Sequence, residues 1–264
     1  MAKAGGESLH QWIRNSGLRL WTHYGEGDGR AFFDRDNAVP ESRTIPTTLT
    51  NAHVIMGHWR PWNKGGSFVE ALLANGFTRR CAQWTVLRDP LDRAASLLIF
   101  LYGRQQLTSF LMDCIDATHR VQSQGLCQNG TRNYNSRHPL LRNGMCSQFG
   151  IAAPHWNTYT TDRAADTHLG WSEEYCDLAA AKATLEKLDG IGWLDDTTPM
   201  LRAWAEYFGL PPATPAELPH VHATGSSFDR LDEPLQKLIL RHNIVDVLLY
   251  RWALRTLLRR PERK

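Results

Sequence analysis

No stretch of about 18 consecutive apolar residues occurs anywhere in the chain, so no segment reads as a membrane-spanning helix. The first residues also lack the apolar core of a secretory signal. Cysteine is scarce: Cys81, Cys114, Cys127, Cys146 and Cys176 are the five, and none has CxxC spacing, which argues against a structural zinc site. An odd count leaves at least one thiol free within the chain. One or two disulfides among the last four suit an oxidising compartment, and buried free thiols are the plainer alternative. The net charge is only +3, and Lys and Arg form no clustered stripe. That speaks against nucleic acid as a partner and permits an anionic one. Internal repeats and coiled-coil heptads are absent too.

What is present suits one α/β domain spanning residues 1–264, with ten Trp among its residues. Residues 6–15 predict a helix with Leu9, Trp12 and Ile13 on one side. The run "AHVIMG" at 52–57 and the β-branched, aromatic "CAQWTVL" at 81–87 predict strands. Between them, 66–75 reads as a helix stopped by Gly76. Asp89-Pro90 begins another, with Asp as N-cap and Pro at the first helical position. Residues 178–188 predict a helix, "DGIGWLD" a strand, 197–208 a helix closed by Gly209, and 232–258 a helix pair. Residues 104–180 are polar, with short helical pieces such as 107–118, and read as a variable insertion. Strands alternating with helices in this order predict a mostly parallel sheet flanked by helices on both faces.

Two motifs carry chemistry. In "KAGGES", glycines let backbone N–H groups approach an anion, and the helix that follows adds its positive dipole. Lys3 brings a movable charge and Ser8 a hydroxyl. The lysine precedes the glycines, the reverse of the GxxxxGK[ST] order of nucleotide triphosphatases. In "TVLRDPLDRAASLL", Arg88 leaves a strand at the edge where open α/β sheets bind ligands, and Ser96 stands just over two helical turns further on. Both could meet one anionic group; alternatively Arg88 pairs with Asp92 and Ser96 is a small core contact. His58, in "VIMGHW", follows a strand placed between the two motifs.

Together, Lys-x-Gly-Gly-x-Ser near the start and Arg-Asp-Pro-Leu-x-Arg-x-x-Ser after a strand resemble the carbohydrate sulfotransferases, most closely the heparan and uronyl 2-O-sulfotransferase type. "GIGWLDDTTPMLRAWAEYFGLP" resembles that family's later strand-helix unit. "HNIVDVLLYRWALRTL" resembles its C-terminal helix, with Asn243, Asp246 and Tyr250 at matching places. The resemblance implies a P-loop-like sulfotransferase fold and transfer of a sulfuryl group from 3′-phosphoadenosine 5′-phosphosulfate (PAPS) to a hydroxyl, expected on a carbohydrate. Lys3, Gly5, Gly6 and Ser8 would hold the phosphosulfate, and Arg88 and Ser96 the 3′-phosphate. His58 would be the general base and Lys3 would stabilise the leaving phosphate; no metal is expected. Glu7 departs from the family's Ser or Thr and sets a carboxylate beside the phosphosulfate. If the natural chain is eukaryotic and longer, a membrane-anchored enzyme of the Golgi lumen is implied, otherwise a cytoplasmic one.

Other signals are weaker. His220 and His222 have no evident third metal ligand. The loop around Gly225–Ser227 could pack on adenosine. Arg60, Lys64, Arg79 and Arg80 could meet an acidic sugar chain or be solvated surface. His53, at the start of its strand, reads as structural. Asn129-Gly130-Thr131 is a glycosylation sequon. The Leu, Trp and Val stripe of 244–258 reads as core-facing. Two rival functions remain: a P-loop kinase, weakened by the motif order and by the lack of an acidic Mg²⁺ ligand after a strand, and an inactive module that binds the same nucleotide. Only Met1 and Ala2 precede Lys3, so the strand expected before the phosphate loop is absent, and the chain is expected to be N-terminally incomplete.

Overall fold

Among the residues that the structure describes, four short strands pair in two parallel ladders, with helices packed on both faces. A computed structural model describes residues 6–22, 47–56, 72–73, 75–102, 143–150, 177–211, 214, 217–218 and 228–258. In chain order the elements are α1 (Gly6–Asn15), β1 (Leu20–Thr22), α2 (Thr47–Thr50), β2 (Val54–Met56), β3 (Trp84–Leu87), α3 (Pro90–Tyr102) and α4 (Gly144–Gly150). They continue with α5 (Leu178–Lys187), β4 (Gly190–Trp193), α6 (Thr198–Tyr207), a 3₁₀ turn (Phe228–Arg230), α7 (Glu233–His242) and α8 (Ile244–Thr256). β1 pairs with β2, Trp21 opposite Ile55; β3 pairs with β4, Trp84 opposite Gly190 and Leu87 opposite Trp193.

Alternation along each strand divides its side chains between two cores. Leu20, Val54 and Met56 of one ladder and Trp84 and Val86 of the other pack into one cluster with Leu9, Trp12 and Ile13 of α1 and Met200, Leu201 and Trp204 of α6. One helical layer therefore covers both ladders. On the opposite face, Trp21 and Ile55 meet Leu49, Leu72 and Phe77. Leu87, Ile191 and Trp193 meet α4, α5 and α8 through Phe149, Leu185, Leu249 and Ala253. α3 and α7 pack on each other through Leu97, Leu98, Leu235 and Ile239.

The two glycines of "GIGW" explain the close approach on the α6 side. A methyl placed on Gly190 would collide with the Trp84 indole, and one on Gly192 with Met200 Sδ. Trp84 thus lies across a strand neighbour that has no side chain, and its ring meets Trp204 edge-on at 5.9 Å.

The expected strands at 52–57 and 81–87 form over shorter spans, and the helices expected at 6–15, from Pro90, 178–188, 197–208 and 232–258 all form. β1 was not anticipated; it takes one flank of β2. Among the described residues no strand joins the two ladders. Within the stretch read as a variable insertion, α4 buries Met145, Cys146 and Phe149 in the core beside α8. Cys146 is disulfide-bonded and Cys81 is free, which fits a chain with at least one free thiol. The helices expected at 66–75 and 107–118 lie wholly or mostly outside the described residues.

Candidate functional site

α1 and α6 locate the edge at which a ligand would meet the strands. A Cβ on Gly6, the first residue of α1, would touch Met56 Cε at 3.6 Å, so α1 starts beside the carboxyl end of β2. α6 starts just after β4, and its Met200 lies over Gly192. Trp12 and Trp204 stand six residues beyond Gly6 and Thr198 respectively, and their ring centroids are 6.1 Å apart. Each helix thus starts near the carboxyl end of one ladder, and the two meet through these rings. Those ends carry the start of α1, the residue after β3, which is Arg88, and the start of α6.

Of the sequence-predicted residues, Gly6 and Ser8 stand in the first turn of α1, where N–H groups lack intrahelical acceptors and the dipole is positive. Ser8 is half-buried. Glu7 turns outward: its side chain is 59% exposed and its carboxylate lies 3.9 Å from His10 Nδ1. The repulsion expected from Glu7 is therefore directed into solvent. Arg88 is half-buried at the carboxyl end of β3. Ser96 is 2% exposed among Ala94, Ala95, Leu97 and Leu98, closed from solvent on the inner side of α3. Lys3, Gly5 and His58 lie outside the described residues; β2 ends two residues before His58. His220, His222, Gly225–Ser227, Arg60, Lys64 and Asn129–Thr131 also lie outside them.

Two secondary expectations are resolved. His53 sits at the amino end of β2, where its Nδ1 accepts the N–H of Arg19 at 3.1 Å. Burial, then the charges of Arg19 and Arg79, hold its pKa below the ordinary histidine value. His53 is thus a neutral structural acceptor at the edge away from the start of α1. Arg79 donates through Nη1 to the carbonyls of Thr50 at 2.9 Å and Ala52 at 2.7 Å, which ties the chain before β3 to the turn before β2.

Behind Arg88 lies a buried polar knot whose pairing no local pattern announces. Asp246, fully buried, accepts from Arg93 Nη2 at 3.1 Å and from the N–H groups of Met145 at 2.8 Å and Cys146 at 2.6 Å. In return, Asn143 Oδ1 accepts the N–H groups of Val245 at 3.0 Å and Asp246 at 3.3 Å. Each of α4 and α8 therefore has its first turn capped by a side chain from the start of the other, with Arg93 held between them. Burial raises the Asp246 carboxyl, opposed by Arg93 and then by the Cys146 and Met145 N–H groups. Burial lowers Arg93, and the positive charge of Arg88 adds to that. Arg88 and Arg93 are thus close enough for their charges to act on each other, and Asp246 is bound to Arg93.

The carboxylates nearer the strand ends are engaged as well. Asp89 Oδ1 accepts from Leu91 N at 2.9 Å and Asp92 N at 3.1 Å, capping α3 as its sequence predicts. Asp92 Oδ1 accepts from Phe228 N at 2.6 Å. Asp195, just past β4, accepts from the Tyr250 hydroxyl at 3.0 Å; burial first, then Asp195, pushes that phenol well above its ordinary pKa. Among the described residues, no group of three His, Cys, Asp or Glu side chains could hold a metal ion.

Comparison with protein-family models, with curated proteins and with solved structures finds no match to this chain.

Proposed function

We propose that the chain is a sulfotransferase that moves a sulfuryl group from PAPS to a hydroxyl, expected on a carbohydrate. The observation that carries the reading is the start of α1 against the carboxyl end of β2, in a layer whose next ladder ends in Arg88. A glycine-led helix start offers N–H groups and dipole to a phosphosulfate. In this reading Arg88, half-buried at the carboxyl end of β3, offers a charged fork to a second phosphate. The motif resemblance supplies the identity of the donor. The 3′-phosphate would be met by Arg88 and Ser96, of which Ser96 is buried.

In this reading the acceptor hydroxyl attacks sulfur in line with the bridging oxygen. Its proton passes to His58. The new S–O bond forms as the bond from sulfur to the phosphate oxygen breaks, and Lys3 meets the charge gained by that oxygen. Histidine suits the first role because its ordinary pKa lies near working pH.

The test is transfer of labelled sulfate from PAPS to a panel of acidic and neutral polysaccharides. Labelled product is expected, and His58→Ala should lower turnover by about 10²- to 10⁴-fold with little change in nucleotide affinity. Turnover within a few-fold of the parent protein would remove His58 from the mechanism. Nucleotide binding with no transfer to any acceptor would favour the inactive nucleotide-binding module.

A further inference from the structure

α8 is buried around most of its circumference, and its exposed residues are Ile244, Leu248, Arg251 and Arg255. These positions fall at i, i+4, i+7 and i+11, so they form one stripe about 16 Å long. Ile244 is 46% and Leu248 50% exposed, and the end of α7 extends the patch with Leu240 and Arg241, both exposed. Among the described residues of α7 and α8, the patch holds three aliphatic side chains, three guanidinium groups and no carboxylate. The one acid of α8, Asp246, is buried on Arg93, and Glu233 pairs with Lys237 at the far end of α7. The core-facing reading of the Leu, Trp and Val residues of 244–258 holds for Val245, Val247 and Leu249 and fails for Leu248 and Leu258.

We propose that this stripe docks on an anionic lipid surface, its aliphatic side chains entering the interface and its arginines meeting lipid phosphates. Three observations select that occupant. All six side chains stand exposed on the surface and not in a recess of the kind that holds an acidic peptide. A second copy would set arginine against arginine with no carboxylate to answer. Six residues are also far fewer than the roughly 20–30 a side of a stable protein interface. Aliphatic and basic side chains sharing one face are what interfacial binding to acidic lipid requires.

The experiment is co-sedimentation of the full chain with phosphatidylcholine vesicles, with and without phosphatidylserine. Binding is expected only with phosphatidylserine, falling steeply as salt rises from about 0.1 to 1 M and the screening length shrinks from about 10 to 3 Å. Arg251→Glu with Arg255→Glu should weaken it about tenfold or more. Ile244→Gln with Leu248→Gln should also weaken it, with thermal unfolding unchanged because all four side chains are exposed. Equal binding to both vesicles, no binding, or binding indifferent to both double variants would overturn the proposal. A dimer abolished by Leu248→Gln, without vesicle binding, would assign the stripe to a second copy instead.

Discussion

Asp246 shows how much one side chain can organise. It caps α4 and pairs with Arg93 from the first turn of α8, all with no exposed surface. Its partners lie as many as 153 positions away in sequence, so the sequence shows the residue and hides its pairing. A lone acid in an apolar helix was legible, and the resemblance singled it out with Tyr250. Arg93 looked like any helix arginine, and Asn143 sat in a polar stretch read as an insertion. Removing the carboxylate would leave a buried guanidinium and two helix N–H groups without it. Asp246→Ala should therefore cost about 3–5 kcal/mol, read from urea unfolding. A loss under about 1 kcal/mol would show that the knot holds without its acid. Glu7 makes the complementary point: its identity argued for repulsion, and its outward position, invisible in a motif, removes the conflict.

At the scale of elements, legibility followed the strength of local signals. Asp89-Pro90 announced α3, and the Asp89 side chain makes the two capping bonds such a pair implies. The apolar spacing of α1 announced which of its faces is buried. β1 was missed because three residues give no measurable alternation; its ladder with β2, not its own pattern, makes it a strand. α4 was missed because its caps come from α8, beyond the reach of any window of sequence. "GIGW" was read as a strand, but its glycines owe their place to what lies above them. Gly190→Ala should push the added methyl into the rigid Trp84 indole and cost about 1–3 kcal/mol. Gly192→Ala should cost less, since Met200 can rotate aside. Chemical denaturation of the two variants compares them directly, and the reverse order would mean that the Trp84 packing does not constrain β4.

For the whole molecule, the sequence order of strands and helices led to the mixed class that is found, short parallel strands packed by helices, while the single sheet it implied is two ladders among the described residues. It did not show that a single layer, α1 with α6, spans both ladders, since that depends on Trp12, Trp84 and Trp204 meeting in space. The proposed function requires that this shared layer bring the start of α1 and Arg88 to one ligand. The most direct test is thermal unfolding of the chain with 3′-phosphoadenosine 5′-phosphate and, separately, with ATP. At about 100 times its Kd, the first should add about 2.7 kcal/mol of stability. In a chain of this size that corresponds to a rise in Tm of about 5–10 °C, with little change from ATP at the same concentration. A rise with ATP and none with 3′-phosphoadenosine 5′-phosphate would contradict the sulfotransferase account and favour a kinase.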